Sequence, residues 1–294
     1  MSAWLVCDWG TTNVRAWRIE AGQAVARASF GFGVSKIAPG EVPFCLEQSI
    51  RPALDAQGLP VLLSGMAGSN LGWMNAPYLD CPAGLKAVAA GLVQPASGVW
   101  IVPGVRTIGR AHGPDVMRGE EVQIFGALEL GAQSGLYCLP GTHSKWVRVE
   151  QGKIIDFITA MTGELFALLN QHSVLAAEGD PSDQGGFAAG LAAAAGGDGL
   201  SLRLFGLRAR RLTGGLAAGQ EPAFLSGLLI GAEIASAPEM LGAGHDEPVT
   251  LIGDPGLCGA YAQALALKGR ASNLCDGEAA ALAGLCAIIE GIRS

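Results

Sequence analysis

The chain has 294 residues, of which 50% are hydrophobic and only 15% charged, and its formal net charge is −7. This is enough apolar material for one large or two medium domains and too little charge for a disordered chain. The negative balance argues against nucleic acid or an anionic membrane as the main partner, so an anionic ligand must find its counter-charge in a local group of arginines. No basic region followed by an apolar run opens the sequence, and no signal peptide is expected. The uncharged stretches 57–79 and 87–105 are broken by Asn70, Asn75 and Pro77 and by Pro95, Gly98 and Pro103, so neither reads as a membrane helix. The cysteines at 7, 45, 81, 138, 258, 275 and 286 are odd in number and form no Cys-x-x-Cys pair, which predicts reduced thiols in a cytoplasmic protein. The four histidines are too scattered for a structural zinc site.

In chain order, residues 3–8, 14–19 and 23–30 read as three strands of an antiparallel meander, joined by a Gly-Thr-Thr turn and by "EAGQ". A helix is predicted over 43–55. "PVLLSGMAGSNLGW" then gives a buried strand that opens into a Gly/Ser/Asn loop, and "VWIVPGV" gives another buried strand. A helix is predicted from Asp115, with Glu120 and Glu121 near its first turn and Val122, Ile124, Phe125 and Leu128 as its apolar set. "GLYCLPGTHSKWVRVEQGKIIDFITAM" repeats the opening design of strand, Gly-Thr turn, strand, "xxGx" turn and strand. This arrangement, seen near residue 10 and again near 141, predicts two similar domains facing each other. The later chain is helical and rich in Ala and Gly. It includes a buried helix at 224–236, a strand, glycine turn and helix in "VTLIGDPGLCGAYAQALAL", and a C-terminal helix apolar almost all round. Residues 192–199 read as a mobile loop.

The common nucleotide and hydrolase signatures, G-x-x-x-x-G-K-[ST], G-x-G-x-x-G after a strand and G-x-S-x-G, are absent. What remains is a set of short pieces. Asp8 ends a buried strand, where a carboxylate is costly unless hydrogen-bonded or close to a cation. Gly10 lets the backbone approach a ligand, and Thr11 and Thr12 offer hydroxyls and amides to phosphate oxygens. The second turn, "PGTHSKW", supplies Gly141, Thr142, Ser144 and the cation of Lys145. "MRGEEVQIFG" places two carboxylates at a helix start, which suits either helix capping or a base that takes a hydroxyl proton during attack on a γ-phosphate. "LIGDPGLCG" is a glycine turn against which a flat adenine can lie, and the small residues of the final helix suit close helix packing.

In this order the pieces resemble the sugar kinase/Hsp70/actin superfamily. The blocks "DWGTTNVRAW", "GMAGSNLGWMNAPYLDCPA", "IVPGVR", "DVMRGEEVQIFGAL", "CLPGTHSKWV", "MTGELFALLNQHSVLA", "FLSGLLIGAE" and "LIGDPGLCGAY", spread over residues 8–261, resemble the 2-dehydro-3-deoxygalactonokinase family. The resemblance implies an α/β fold of two similar ribonuclease H-like (actin-like ATPase) domains around a central cleft, with domains expected at 1–113 and 114–294. It implies phosphorylation of the terminal hydroxyl of 2-dehydro-3-deoxy-D-galactonate, in galactonate catabolism, with ATP and Mg²⁺. Asp8 would hold the metal through water, Gly10, Thr11 and Thr12 would cradle the β- and γ-phosphates, and Gly141 and Thr142 would form the opposing loop. Gly253, Asp254 and Gly256 would form the adenosine turn. Aligned from its glycine, "RGEE" puts Glu120 at the position of the base; counted back from "FG" the register shifts by one, which keeps Glu121 as a second candidate.

The sugar carboxylate calls for an arginine, and Arg15, Arg106 and Arg118 are the candidates, with Ser69, Asn70 and Trp73 offered for hydroxyl contacts. After "HSVLA" stands Ala177 where the resemblance leads one to expect an arginine, and no role is assigned there. The alternatives carried from the sequence are a kinase for another sugar or sugar acid, a non-catalytic sugar-acid sensor and a polymerising ATPase. A homodimer face is expected on the Gly/Ala-rich helices.

Overall fold

The computed structural model describes residues 3–109, 112–195 and 199–293 and divides into two compact units. Unit 1 holds residues 1–134, 148–157 and 275–294, and unit 2 holds 135–147 and 158–274. The expected break at 113/114 would have assigned the glutamate-bearing helix to the second half of the chain. In the structure that helix belongs to unit 1, together with the C-terminal helix on which it packs.

Unit 1 is built on strands β1 (Trp4–Trp9), β2 (Val14–Glu20) and β3 (Gln23–Phe30), the expected meander. A helical stretch follows as α1 (Val42–Cys45), a wider π-type turn over Leu46–Ile50, and α2 (Arg51–Ala53), with Leu46 and Ile50 buried. Next come β4 (Val61–Gly65), β5 (Tyr78–Asp80), β6 (Ala83–Gly84), α3 (Leu85–Ala90), β7 (Val93–Ala96), β8 (Val99–Ile101), β9 (Gly104–Thr107), β10 (Asp115–Met117) and α4 (Glu120–Glu129). The main sheet runs β3-β2-β1-β4-β8-β7. Apart from the edge strand β7, its strands follow the order 3-2-1-4-5. β1 lies parallel to β4, so Asp8 stands beside Ser64 and Trp9 beside Gly65. β1 is a central strand, antiparallel to β2 and parallel to β4, and "WLVCDW" is almost continuously buried. β10, β9 and β5 form a small second sheet.

Two expectations are corrected here. "VWIVPGV" is not one strand, because Pro103, which has no N–H to give a ladder, separates β8 from β9. The helix does not begin at Asp115: residues Asp115–Met117 pair with β9, and Gly119, at φ +107°, turns the chain before the helix starts at Glu120.

Residues 135–276 repeat the plan. β11 (Gly135–Leu139), β12 (Ser144–Glu150) and β13 (Lys153–Ala160) are followed by α5 (Thr162–His172), α6 (Gln184–Ala194), α7 (Leu200–Thr213), α8 (Glu221–Met240), β14 (Val249–Gly253), α9 (Pro255–Leu267) and β15 (Ser272–Asp276). The order β13-β12-β11-β14-β15 is again 3-2-1-4-5, with β11 parallel to β14. The stretch expected as a loop at 192–199 is helical through Ala194, and 196–198 lie outside the described residues.

Glycines set the helix packing. A Cβ on Gly190 of α6 would stand 2.1 Å from Phe224 O, and one on Gly227 of α8 would stand 2.2 Å from Phe187 O. In unit 1, Gly126 of α4 and Gly284 of α10 (Gly277–Arg293) interlock in the same way. Gly190, Gly227, Gly126 and Gly284 are thus committed to packing within the chain. All seven cysteines are free. Among the described residues no helix is long and apolar enough to cross a membrane.

Candidate active site

In unit 1 the turn after β1 is held from below by its own backbone. Gly10 N–H donates to Asn13 O (2.8 Å), while Gly33 N–H and Ser35 N–H donate to Thr12 O (2.8 Å) and Thr11 O (2.9 Å). The carbonyls are therefore occupied, and these bonds leave the Thr11 and Thr12 amides unused beside two exposed hydroxyls. Gly33 is needed for this contact, since a Cβ there would lie 2.3 Å from Thr11 C and O. A cavity of about 560 Å³ opens at the turn, lined by Asp8, Gly10, Thr12, Arg15, Ser29 and Phe30. Asp8 Oδ2 accepts from Arg15 Nη2 at 2.8 Å, because the two residues face each other across the β1–β2 ladder. Burial raises the Asp8 carboxyl above its ordinary range, and the Arg15 charge and hydrogen bond pull it back.

The structure brings the glutamates of α4 to this strand end through two glycines. A Cβ on Gly119 would stand 3.2 Å from Gly65 Cα, and a Cβ on Gly65, at φ +72°, would stand 2.6 Å from Trp9 O and 3.6 Å from Asp8 Oδ1. The ends of β1 and β4 and the start of α4 thus meet backbone to backbone. Both carboxylates reach back to backbone amides just ahead of the helix: Arg118 N–H donates to Glu120 Oε2 (3.1 Å) and Gly119 N–H to Glu121 Oε2 (2.7 Å). They differ in surroundings. Glu120 is half-buried, whereas Glu121 is fully buried with Oε1 lacking a hydrogen-bond partner, and burial followed by the Glu120 charge pushes its carboxyl up to about 8.

The three candidate arginines fare differently. Arg106 is exposed and paired to its ladder neighbour Asp80 (Nε 2.6 Å, Nη2 3.4 Å), and Arg15 is paired to Asp8. Arg118 is buried, donates Nη2–H to Ala76 O at 2.7 Å and lies 4.4 Å over the Tyr78 ring, yet its Nε and Nη1 have no hydrogen-bond partner. Gly68 makes room for it, since a Cβ there would stand 2.8 Å from Nη1. Of the hydroxyl candidates, Ser69 Oγ is committed to Met66 O (2.8 Å), Asn70 is exposed, and half-buried Trp73 packs on the unit 1 core.

In unit 2, Gly141 and the exposed Thr142 sit on the turn between β11 and β12, clamped to the start of α5. Glu164 N–H donates to Thr142 O (3.0 Å), His143 and Glu164 pair through their side chains, and a Cβ on Gly163 would lie 2.5 Å from Gly141 O. Ser144 and Lys145 do not line the turn. Ser144 is fully buried against Tyr261 OH (2.8 Å), and Lys145 Nζ donates to Thr159 Oγ1 (2.6 Å) on β13. Gly253, at φ +151°, approaches Pro140 O, so the third turn adjoins the second. Asp254 is the N-cap of α9 and accepts from Leu257 N–H at 3.0 Å, while Gly256 is exposed beside it.

The model of the family described as 2-keto-3-deoxy-galactonokinase matches residues 8–288. The chain belongs to this family. It is 37% identical over 293 residues to the 2-dehydro-3-deoxygalactonokinase of Escherichia coli (strain K12), covering 99% of this chain and 96% of that one. A crystal structure of a Sinorhizobium meliloti protein described as a 2-dehydro-3-deoxygalactonokinase superposes with a TM-score of 0.87 at 34% identity, covering 98% and 99% of the two chains. At 12% identity and a TM-score of 0.55, component A of the Acidaminococcus fermentans (R)-2-hydroxyglutaryl-CoA dehydratase shares the fold alone, over 99% of each chain. The fold is thus the expected α/β type with ribonuclease H-like (actin-like ATPase) domains.

Sequence reasoning did not single out Gly33 or Gly65, and it used Gly119 only to align "RGEE", although Gly65 and Gly119 lie inside quoted motifs. It also passed over His143, Glu164 and Glu233, whose partners are distant in the chain.

Proposed function

We propose that the protein is an ATP-dependent kinase acting on the terminal hydroxyl of 2-dehydro-3-deoxy-D-galactonate. The observation that carries this reading is the meeting of the Asp8 strand end with the Glu120 helix start through Gly65 and Gly119, in a chain of the galactonokinase family. The Thr11 and Thr12 amides and hydroxyls receive phosphate oxygens, as do Gly141 and Thr142 in unit 2, and the Gly253–Gly256 turn receives adenosine.

A magnesium ion fits Asp8. One oxygen is held by Arg15, and the other has no hydrogen-bond partner among the described residues and stands where the Gly65 side chain is missing. Among those residues no group of three or more His, Cys, Asp or Glu side chains is gathered, and a single carboxylate suits an ion that keeps its waters and takes phosphate oxygens. When bound, the ion neutralises charge on the transferred phosphoryl group.

Glu120 is the base that takes the hydroxyl proton, since its half-buried carboxylate is open to substrate where Glu121 is enclosed. Arg118 receives the sugar carboxylate, because Arg15 and Arg106 are already paired to aspartates while two of its donors are uncommitted. The free thiols suit the reducing cytoplasm. A coupled ADP assay is expected to show turnover of 2-dehydro-3-deoxy-D-galactonate well above that of the gluconate epimer and of neutral hexoses. Equal turnover of neutral hexoses would refute acid specificity.

A further inference from the structure

Glu233 lies in the middle of α8, buried in an otherwise apolar run between Leu229 and Ile234. A carboxylate in that setting is costly unless donors surround it. Three do, each from a different element. Trp146 Nε1–H of β12 donates to Oε1 at 2.6 Å, Tyr261 OH of α9 donates to Oε2 at 2.7 Å, and Thr162 Oγ1–H at the start of α5 also donates to Oε2. The network extends one step further. Tyr261 gives its only proton to Glu233, so the 2.8 Å contact with Ser144 must have the Ser144 hydroxyl as donor. Burial raises the Glu233 carboxyl, and these hydrogen bonds act in the opposite direction.

Each anchored element leads directly into a segment assigned above to ATP. β12 begins at Ser144, immediately after the Gly141–His143 turn. Thr162 precedes Gly163, whose backbone packs closely on Gly141, and Glu164, whose N–H donates to Thr142 O. Tyr261 stands on the helix whose N-cap is Asp254. We infer that Glu233 is the positioning residue of the nucleotide-binding half: it fixes β12, α5 and α9 in one register, so the phosphate turn and the adenosine turn keep the spacing that ATP requires. A polar group that served α8 alone would need one local partner, not three on separate elements. This inference rests on the nucleotide assignment made under the proposed function.

The test compares wild type with Glu233→Gln and Tyr261→Phe, measuring KM for ATP, KM for the sugar acid, kcat, ATP affinity by calorimetry and the thermal midpoint. Glu233→Gln keeps the shape but removes the charge and leaves one acceptor oxygen where three donors converge, so either the indole N–H or the two hydroxyls lose the acceptor they have in the wild type. The expected result is a roughly tenfold rise in KM for ATP and a matching loss of ATP affinity, the scale on which supporting residues tune a bound ligand. KM for the sugar acid is expected to stay within about twofold, the scatter of a site left intact. Tyr261→Phe removes one hydroxyl and is expected to give a smaller rise of the same kind, which keeps the test open if the Gln variant does not fold. A lowered thermal midpoint with unchanged ATP affinity in either folded variant would reduce Glu233 to a packing group and overturn the inference. Wild type that fails to bind ATP would instead overturn the nucleotide assignment. Wild type that binds ATP without turning over the sugar acid would overturn only the reaction.

Discussion

The two Gly-Thr turns of this chain share a plan and differ in what lies beneath them. Laid over one another, "CDWGTTNVR" and "CLPGTHSKW" match Asp8 with Leu139 and Arg15 with Trp146. The first copy therefore carries an ion pair at the root of its turn, and the second carries apolar groups there, with a buried carboxylate, Glu233, brought up from α8 instead. Exposed Thr11 and Thr12 of the first turn rest on backbone amides from Gly33 to Ser35, whereas the second turn is clamped by the first turn of α5. A duplicated scaffold can thus separate its tasks. One copy holds an ion pair at the root of its turn, and the other is braced by a carboxylate from α8.

The largest effect that would break this comparison is on the chemistry assigned to the first copy. Glu120→Gln is expected to lower kcat by about 10²–10⁴-fold, the usual contribution of a positioned base, with ATP affinity nearly unchanged. Full turnover in steady-state assays would remove Glu120 from that role.

Asp8→Asn comes next: on the proposed assignment it removes the charge that orients magnesium, and an expected loss of roughly 10²-fold in kcat with a raised magnesium requirement follows. Leu139→Asp, which writes the first copy's carboxylate into the second, is expected to rescue nothing in the Asp8→Asn background. Any rescue would show that the two turns are interchangeable.

Steric tests sharpen the same contrast at lower magnitude. Gly33→Ala and Gly163→Ala drive a Cβ into the backbone of the first and second turns, at 2.3 Å and 2.5 Å, and each is expected to cost about 1–3 kcal/mol in urea unfolding. A Cβ on Gly141 would meet nothing within 4 Å, so Gly141→Ala is expected to change stability by less than about 0.5 kcal/mol while still weakening ATP binding.

A further contrast concerns pH. Glu121 is held neutral in the fold up to about 8, while the unfolded chain ionises near its ordinary 4.5. The unfolded state therefore releases this proton first, and the group withdraws stability as pH rises through that window, with no further loss above it. In Glu121→Gln, urea midpoints measured across the window are expected to lack this decline. An identical slope in both proteins would contradict the assignment.

Much of this was legible in the residue order. The repeated strand, Gly-Thr turn and strand, the carboxylate pair after a glycine and the glycine turn before α9 depend on local backbone chemistry, and all appear where those residues stand. The start of α4 did not read correctly, because Asp115 offers an ordinary helix N-cap ahead of the apolar set of Val122, Ile124 and Phe125. Only the ladder with β9 and the positive φ of Gly119 show that the helix begins later. Ser144 and Lys145 read as loop groups from their place beside "GTH", yet pairing between strands turns both inward.

By itself, the sequence determined the family, the two-fold repetition, and which short segments carry hydroxyls, carboxylates and flexible backbone, since these follow from residue type and spacing. Tertiary structure decided which of those groups meet. Gly65 faces Gly119, Arg118 keeps two donors uncommitted where Arg15 and Arg106 do not, and Glu233 gathers three elements around one carboxylate. Such choices depend on contacts between residues far apart in the chain, set by burial and by the need to satisfy every enclosed charge, and no local pattern encodes them.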